Sequence, residues 1–581
     1  MTHPLTMYIT AHTVLDTMRD PARCDKAMAR LRETGFGRVV IEGYRGGCIV
    51  DETTMRETRD AFRDDGFETL GGLMPVRGGD FGPPAEGAEL RFPNFCYSSE
   101  ASVAALEEEI RKLARVFDEV VIDDAFFTSC RCSRCSEARG ERAWDVFRRD
   151  LLTQVGRRWV AAAHEENARV RLAVKFPQYY DRFHLFGYDA HRFPQVFDAV
   201  WQGTETRDPD TFEYGYVEPY EGYFNVLWMR ECAGEKLECA WFDYLDCDVQ
   251  LFYEQAVTTF LANPGHVTVF CYGAPLMDGG MADRLAKALP ALGRLRDAAT
   301  GPQGVHVIKP PNSDGGRDLF LFDYLGMLGI PCVPATSIEE SMRSAIVPAH
   351  ALEQADACRS IADVITGGRQ VIATFDALSR MDTHTLALFG FEPRGVAHGR
   401  TEVSGFEVEG DQLEVESPWY VAGDLDPTDA DVPVWATVTA CERGSIRVPF
   451  ATVKSHPGGG RAVVWNLGTF GHDAFSITER LNVPVRSTIL ALPQQVVDLL
   501  RGMATAPLGF SVSAPPRVAC FLFARHLVLV NYAQERAEVT TEGIDWEPGS
   551  LFADSQDTAC SGGRITVAPR SFALLERRTD D

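Results

Sequence analysis

Through roughly the first half of the chain, short apolar runs alternate with longer stretches whose apolar residues recur every three to four positions. The runs at 7–10, 38–42, 69–74, 119–123, 171–176, 199–205, 238–243 and 266–272 read as strands. Between them, stretches such as 103–117, 143–164 and 249–261 carry the helical period. Eight β-then-α units over residues 1–300 predict a parallel (β/α)8 TIM barrel rather than an open sheet.

The Gly301-Pro302 break opens a different pattern. Residues 304–308, 319–322, 331–333, 344–347 and 370–374 read as short strands between helical pieces, a smaller α/β layer. Its closing parts are expected at 461–467 (strand) and 493–503 (helix). Residues 399–454 place Thr, Val, Glu and Trp at alternating positions and predict an antiparallel β insertion. Beyond Pro507, the runs 517–523, 526–530 and 563–575 predict a terminal β-sandwich. The expected domains are therefore 1–300, 301–505 and 506–581.

Composition narrows the class. Apolar residues make up 45% and charged residues 24% of 581 positions, which excludes a disordered chain or a coiled coil. With 57 Lys plus Arg against 83 Asp plus Glu, the net charge of −26 argues against nucleic acid or anionic membrane as the main partner. No stretch is long and apolar enough to span a bilayer. The run from Met1 to Thr10 lacks the basic and apolar regions of a signal peptide, so the expected location is the cytoplasm. Fifteen cysteines, an odd number, do not form a complete disulfide framework, and most read as small buried hydrophobes.

One group differs. Cys130-Arg-Cys132-Ser-Arg-Cys135 lies in a polar loop just past the fourth predicted strand. This spacing lets three thiolates converge on one ion, and a tetrahedral structural zinc needs one more soft ligand. Cys96 follows the third predicted strand, and loops after neighbouring barrel strands share a face, so Cys96 is the expected fourth ligand. Cys24, Cys48, Cys232, Cys239 and Cys247 lack a partner at metal spacing and read as core.

A barrel, then a flavodoxin-like α/β domain, then a small β domain resembles the plan of the glycoside hydrolase family 42 β-galactosidases. Many of these carry a four-cysteine zinc site, and Cys96, Cys130, Cys132 and Cys135 match its pattern residue for residue. Ile330-Pro-Cys-Val-Pro, Ile346-Val-Pro and Ile365-Thr-Gly-Gly-Arg-Gln-Val-Ile-Ala-Thr are similar to that family's trimerisation domain, which implies a homotrimer. The resemblance covers nearly the whole architecture, its specific element is the cysteine motif, and it implies a distant relative in a separate glycoside hydrolase family. The family ends its fourth strand with Asp-Asn-Glu, the Glu being the acid/base. Here Ile122-Asp123-Asp124-Ala125 puts Ala125 at that position. Where the family's nucleophilic Glu follows the seventh strand, this chain has Trp241-Phe242-Asp243.

Barrel active sites form at the C-terminal strand ends. Those ends hold Glu42, Asp123, Asp124, Glu205 and Asp243, with Asp246 slightly beyond. Glycoside hydrolysis needs two carboxyl groups, and crowding raises pKa values as an acid requires. Two arrangements stay open. Asp124 is the acid/base and Asp243 the nucleophile, as the resemblance implies, or an Asp after strand four is the nucleophile and Glu205 the acid/base, as in α-galactosidase-like barrels. Arg207 is a candidate ion-pair partner of Glu205. Lys175, Gln178, Arg45 and His12 are candidate hydroxyl readers; Glu42, Arg207 and Trp241 are further candidate substrate contacts. Tyr44, Phe126, Phe127, Tyr179, Tyr180, Trp201, Tyr244 and Tyr272 crowd the same loops as candidate stacking platforms. Gly43-Tyr-Arg-Gly-Gly47 lacks the pattern of a phosphate loop.

The expectation is an exo-acting glycosidase for small oligosaccharides or glycosides, with structural zinc and no organic cofactor. A sugar-binding barrel without catalysis is the alternative that Ala125 suggests. A metal-dependent sugar isomerase or lyase is another; it needs His beside Asp or Glu at the strand ends, where His12 is the well-placed candidate.

Overall fold

The computed structural model describes residues 5–78, 83–86, 93–208, 217–440, 444–469, 472, 488–547, 549–561 and 563–578. Residues 1–4, Pro209 and residues 441–443, which entered the sequence reading, lie outside these. The chain divides into two compact units that part between Arg296 and Asp297.

The first unit is a closed barrel. Its parallel strands are β1 (Leu5–Ile9), β2 (Phe36–Arg45), β3 (Glu68–Met74), β4 (Glu119–Ile122), β5 (Arg171–Phe176), β6 (Ala199–Gly203), β7 (Leu237–Asp243) and β8 (His266–Phe270). They pair in sequence order, and β1 pairs with both β2 and β8, which closes the ring. Every residue of β1 and β6 is buried, as strands covered by helices outside and filled by side chains inside must be. Tyr8, Val40, Leu70, Val121, Trp201 and Trp241 belong to the interior cluster. A β-carbon on Gly72 would come within 2.9 Å of the Tyr8 hydroxyl, so the glycine leaves room for that tyrosine to lie inside the ring.

The covering helices are α1 (Pro21–Glu33), α2 (Glu52–Asp64), α3 (Glu100–Val116), α4 (Trp144–Glu166), α5 (Glu221–Ala233), α6 (Val249–Leu261) and α7 (Met281–Ala298). Asp20, Asp51 and Asp248 cap α1, α2 and α6 by accepting from backbone N–H groups of the first turn. The fifth crossover departs from the expected helix. It is a 3-10 stretch, Tyr180–Phe186, ended by left-handed Gly187, and one turn at Phe193–Val196. Its aromatic residues pack on one another: Phe183 meets Tyr179, Phe176 and Tyr188.

The second unit holds a parallel layer and a sandwich. Strands β9 (Val305–Ile308), β10 (Cys332–Ala335), β11 (Ser344–Val347), β12 (Gln370–Thr374), β13 (Val396–Val408), β14 (Asp411–Leu425), β15 (Asp431–Ala440), β16 (Gly444–Ser455) and β17 (Arg461–Trp465) form one sheet. Its parallel part runs β10-β9-β11-β12-β17, the flavodoxin-like order. The β insertion does not stand apart: β16, β15, β13 and β14 extend the same sheet antiparallel from β17. Residues 319–322 are not a strand but lead into helix α8 (Leu321–Met327), every residue of which is buried. An element apolar on all sides shows no period that separates helix from strand.

The sandwich has a five-stranded sheet (Pro302–Gln303, Val518–Phe523, His526–Asn531, Phe552–Ala553 and Ser571–Glu576) and a four-stranded one (Ser511–Ser513, Ala537–Glu542, Ala559–Ser561 and Arg564–Val567). Cys520 and Leu529 of the first and Val539 and Ile565 of the second share its core.

Candidate active site

At the C-terminal ends of β2, β4, β5, β6 and β7, acidic and basic side chains form a chain of bonds from Glu42 to Glu205 and a separate pair, Arg207 with Asp243. Glu42 is fully buried and accepts from the Tyr8 hydroxyl at 2.6 Å, from the Ala11 N–H at 2.7 Å and from Arg45 Nε at 2.9 Å. The other end of that guanidinium reaches Asp123 Oδ2 at 3.0 Å. Asp123 Oδ1 accepts from the Asp124 N–H at 2.8 Å. Lys175 Nζ then donates to Asp124 Oδ2 at 2.8 Å and to Glu205 Oε1 at 2.6 Å, and lies 4.2 Å from the centre of the Trp241 ring. Arg207 binds Asp243 Oδ2 at 2.5 Å, while the Leu245 N–H donates to Asp243 Oδ1 at 3.1 Å. Arg207 is thus the direct partner of Asp243, not of Glu205 as the two-residue spacing suggested.

These groups surround a cavity of about 290 Å³, at the small end of ligand sites. Asp123, Asp124, Lys175, Glu205, Arg207 and Asp243 line it with Arg45, Gln178, Phe127, Tyr179 and Trp241. Side-chain exposure separates the carboxylates: 27% for Asp124 against 4% for Asp123, 2% for Glu205 and 4% for Asp243. Asp124 is the one open to an incoming ligand.

The electrostatics follow from this packing. Burial raises the Glu205 pKa to about 7, with Lys175 opposing and Asp243 and Asp124 adding to the rise. Burial also raises Asp123, reinforced by Asp124 and opposed by Lys175 and Arg45. It raises Asp243 against the pull of Arg207. For Lys175, burial favours the neutral amine, but Asp124, Glu205 and Asp123 outweigh it and hold the ammonium charged. One ammonium bonded to two carboxylates keeps their oxygens within two hydrogen-bond lengths of each other.

Other predicted contacts lie elsewhere. Glu42 sits behind Arg45, the Tyr44 hydroxyl donates to the Val76 carbonyl, His12 is exposed, and the Tyr272 N–H bonds the Tyr8 carbonyl; none of the four lines the cavity. Trp201 is in the barrel interior, Phe126 packs on Trp159 and Tyr180 on Phe224. Met74, Leu245 and Phe270 line the cavity without having been singled out. Phe270 ends β8, so a strand stopped two residues sooner would have pointed to it.

The loops after β3 and β4 bring Cys96, Cys130, Cys132 and Cys135 together, all buried, with sulfur atoms within 4.8 Å of one another. Cys96 Sγ lies 3.6 Å from Cys132 Sγ and 3.7 Å from Cys135 Sγ. Tetrahedral bonds of about 2.3 Å place ligand sulfurs about 3.8 Å apart, so the quartet fits a metal ion. Among the described residues it is the one convergent group of three or more such ligands.

Residues 1–284 match a family model described as a probable glycosyl hydrolase, catalytic domain. The whole chain superposes on the β-galactosidase of Bacillus circulans sp. alkalophilus with a TM-score of 0.62, covering 99% of each chain at 11% identity. For the GH42 β-galactosidase Gan42B of G. stearothermophilus the TM-score is 0.61, covering 99% of this chain and 98% of that one at 11% identity. In fold, the chain is similar to the glycoside hydrolase family 42 β-galactosidases. A protein of Saccharolobus solfataricus described as uncharacterized is 24% identical over 261 residues, 41% of this chain and 42% of that relative. The match spans less than half the length of either. Ala125 lines the cavity beside Asp124. Among the described residues no helix is long and apolar enough to cross a membrane.

Proposed function

We propose that the barrel is a retaining glycoside hydrolase that removes terminal sugars from small glycosides or oligosaccharides, with Asp124 as nucleophile and Glu205 as acid/base. The observation that carries this reading is the Lys175 ammonium bonded to both carboxylates at the cavity wall. Retaining pairs stand roughly 5–5.5 Å apart, whereas inverting pairs leave room for a water at roughly 6.5–9.5 Å. Two carboxylates sharing one ammonium fit the shorter spacing.

In the first step an Asp124 oxygen attacks the anomeric carbon while the Glu205 proton passes to the departing glycosidic oxygen. The aglycone leaves as an alcohol and the sugar remains as an ester on Asp124. Glu205, now ionised, takes a proton from a water whose oxygen attacks the same carbon. The sugar is freed, and Asp124 returns as carboxylate with Glu205 protonated. A Glu205 pKa of about 7 suits a group that gives and takes a proton near neutrality. The size of the cavity suits a terminal sugar, and the rings of Trp241, Tyr179 and Phe127 supply apolar faces for it. The arrangement with Asp243 as nucleophile is disfavoured because both of its oxygens are already held, by Arg207 and by the Leu245 N–H.

The metal in the cysteine quartet is proposed to be zinc in a structural role, since four thiolates leave no open position for water. A homotrimer completes the proposal and rests on the sequence resemblance.

A panel of activated 2-deoxy-2-fluoro glycosides tests the nucleophile, because such sugars form the glycosyl ester faster than they lose it. Peptide mass analysis should find the label on Asp124. A label on Asp243 would select the other arrangement, and an inverted anomer in the first product seen by NMR would sink the retaining mechanism.

A further inference from the structure

The second unit contains a separate cavity of about 310 Å³, outside the barrel and independent of the glycosidase reading. Its walls come from the N-terminal side of the parallel layer and from the sandwich. His306 of β9 and Arg343, the residue before β11, face it from the layer; Phe510, Leu522, Ile544 and Arg577 line it further along the chain.

The charges are one-sided. No Asp or Glu is among its described lining residues, although the chain carries a net charge of −26. Arg577 donates to Gln303 Oε1 at 2.8 Å, a neutral acceptor that orients the guanidinium without neutralising it. Among the described residues neither Arg343 nor Arg577 has a carboxylate within ion-pair distance, whereas both arginines that line the barrel cavity, Arg45 and Arg207, do. Burial lowers the His306 pKa, so the imidazole enters as a neutral polar group and the positive charge comes from the two arginines. Arg343 is exposed and Arg577 half-buried, while Phe510 and Leu522 are buried behind them.

Two guanidinium groups with no carboxylate partner, in a hollow lined by both polar and apolar side chains, define an amphipathic ligand. Guanidinium forks bind carboxylate and phosphate through paired N–H···O bonds. An apolar wall rewards a compact hydrocarbon or aromatic body. We propose that this cavity binds a small organic anion, a carboxylate or phosphate carried on a compact apolar group. The anionic end meets Arg343 and Arg577, and the apolar body lies against Phe510, Leu522 and Ile544.

Calorimetric titration of the full chain with phenyl phosphate, benzoate, inorganic phosphate and benzyl alcohol tests this. Phenyl phosphate or benzoate should bind saturably, and which of the two binds more tightly identifies the anionic group. Asp124→Asn should leave that binding unchanged, since the barrel cavity is not involved. Arg343→Gln and Arg577→Gln should each weaken it about tenfold. Arg343 is exposed and has no side-chain partner among the described residues, so its variant keeps the fold. The proposal fails if neither organic anion binds more tightly than about 1 mM. It also fails if both arginine variants bind as the parent does, if Asp124→Asn abolishes binding, or if inorganic phosphate or benzyl alcohol binds equally well.

Discussion

The carboxylate of Glu205 lies over the backbone of Gly203: a β-carbon on that glycine would come 2.4 Å from Oε2. The last residue of β6 therefore leaves the space in which Glu205 reaches Lys175 with its other oxygen. Gly203→Ala is expected to displace Glu205 and lower turnover by roughly 10²-fold, because small misplacements of a catalytic group cost that much. Unchanged circular dichroism with reduced kcat is the expected pair of results. Full activity in this variant would mean that the chemistry does not use Glu205 where it stands.

Glu205 should set the basic limb of the pH–rate profile. With its pKa raised to about 7, the acid form needed for leaving-group protonation is lost as pH rises through that value. Glu205→Gln should remove the limb when an activated aryl glycoside is the substrate. Stability carries the same signature. The folded state holds this proton more tightly than the unfolded chain, so stability falls as pH rises from the ordinary glutamate range to about 7. Melting curves across that window should slope less for Glu205→Gln than for the parent.

Lys175→Met tests the bridge. The ammonium holds the Glu205 pKa down, so its loss should move the basic limb to higher pH. Asp124 loses its partner at 2.8 Å in the same variant, and kcat should fall by about 10³-fold. A profile with an unmoved limb would contradict the assignment of Glu205 to it.

Asp124→Gly and Asp243→Asn should part company. The first should lose essentially all turnover and recover some with azide, which fills the vacated space and yields a glycosyl azide. The second removes the carboxylate charge that Arg207 binds at 2.5 Å, so a loss of about 10–10²-fold without azide rescue is expected. Rescue of the Asp243 variant alone would reverse the roles.

Cys132→Ser should remove the metal and destabilise the loops after β3 and β4, since the quartet is buried and ties Cys96 of the first loop to Cys130, Cys132 and Cys135 of the second. Elemental analysis should give one zinc per parent chain and little in the variant. An unchanged metal content would overturn the four-cysteine site.

Much of the fold was legible because barrel and flavodoxin-like layers are written locally. Parallel strands covered on both faces are apolar runs, and their helices carry a regular period, so β1 to β8 and β9 to β12 stood out from residue types alone. Cys130, Cys132 and Cys135 announced themselves by spacing, and the barrel order supplied Cys96. Local pattern failed where burial is complete or aromatic packing replaces helical period, as in α8 and the crossover after β5.

The strand ends also named the acidic residues, but a list of carboxylates does not say which is free to react. That depended on distances between residues far apart in the chain. Arg207 stands two positions from Glu205 yet bonds Asp243; Arg45 spans Glu42 and Asp123; Lys175 joins Asp124 to Glu205. Composition and periodicity determined which elements form and which residues gather at the barrel mouth, because these depend on each segment's own burial. Which charge pairs with which was decided by the tertiary structure alone, because a salt bridge depends on a few ångströms across separate strands, and no residue carries that information in its own sequence neighbourhood.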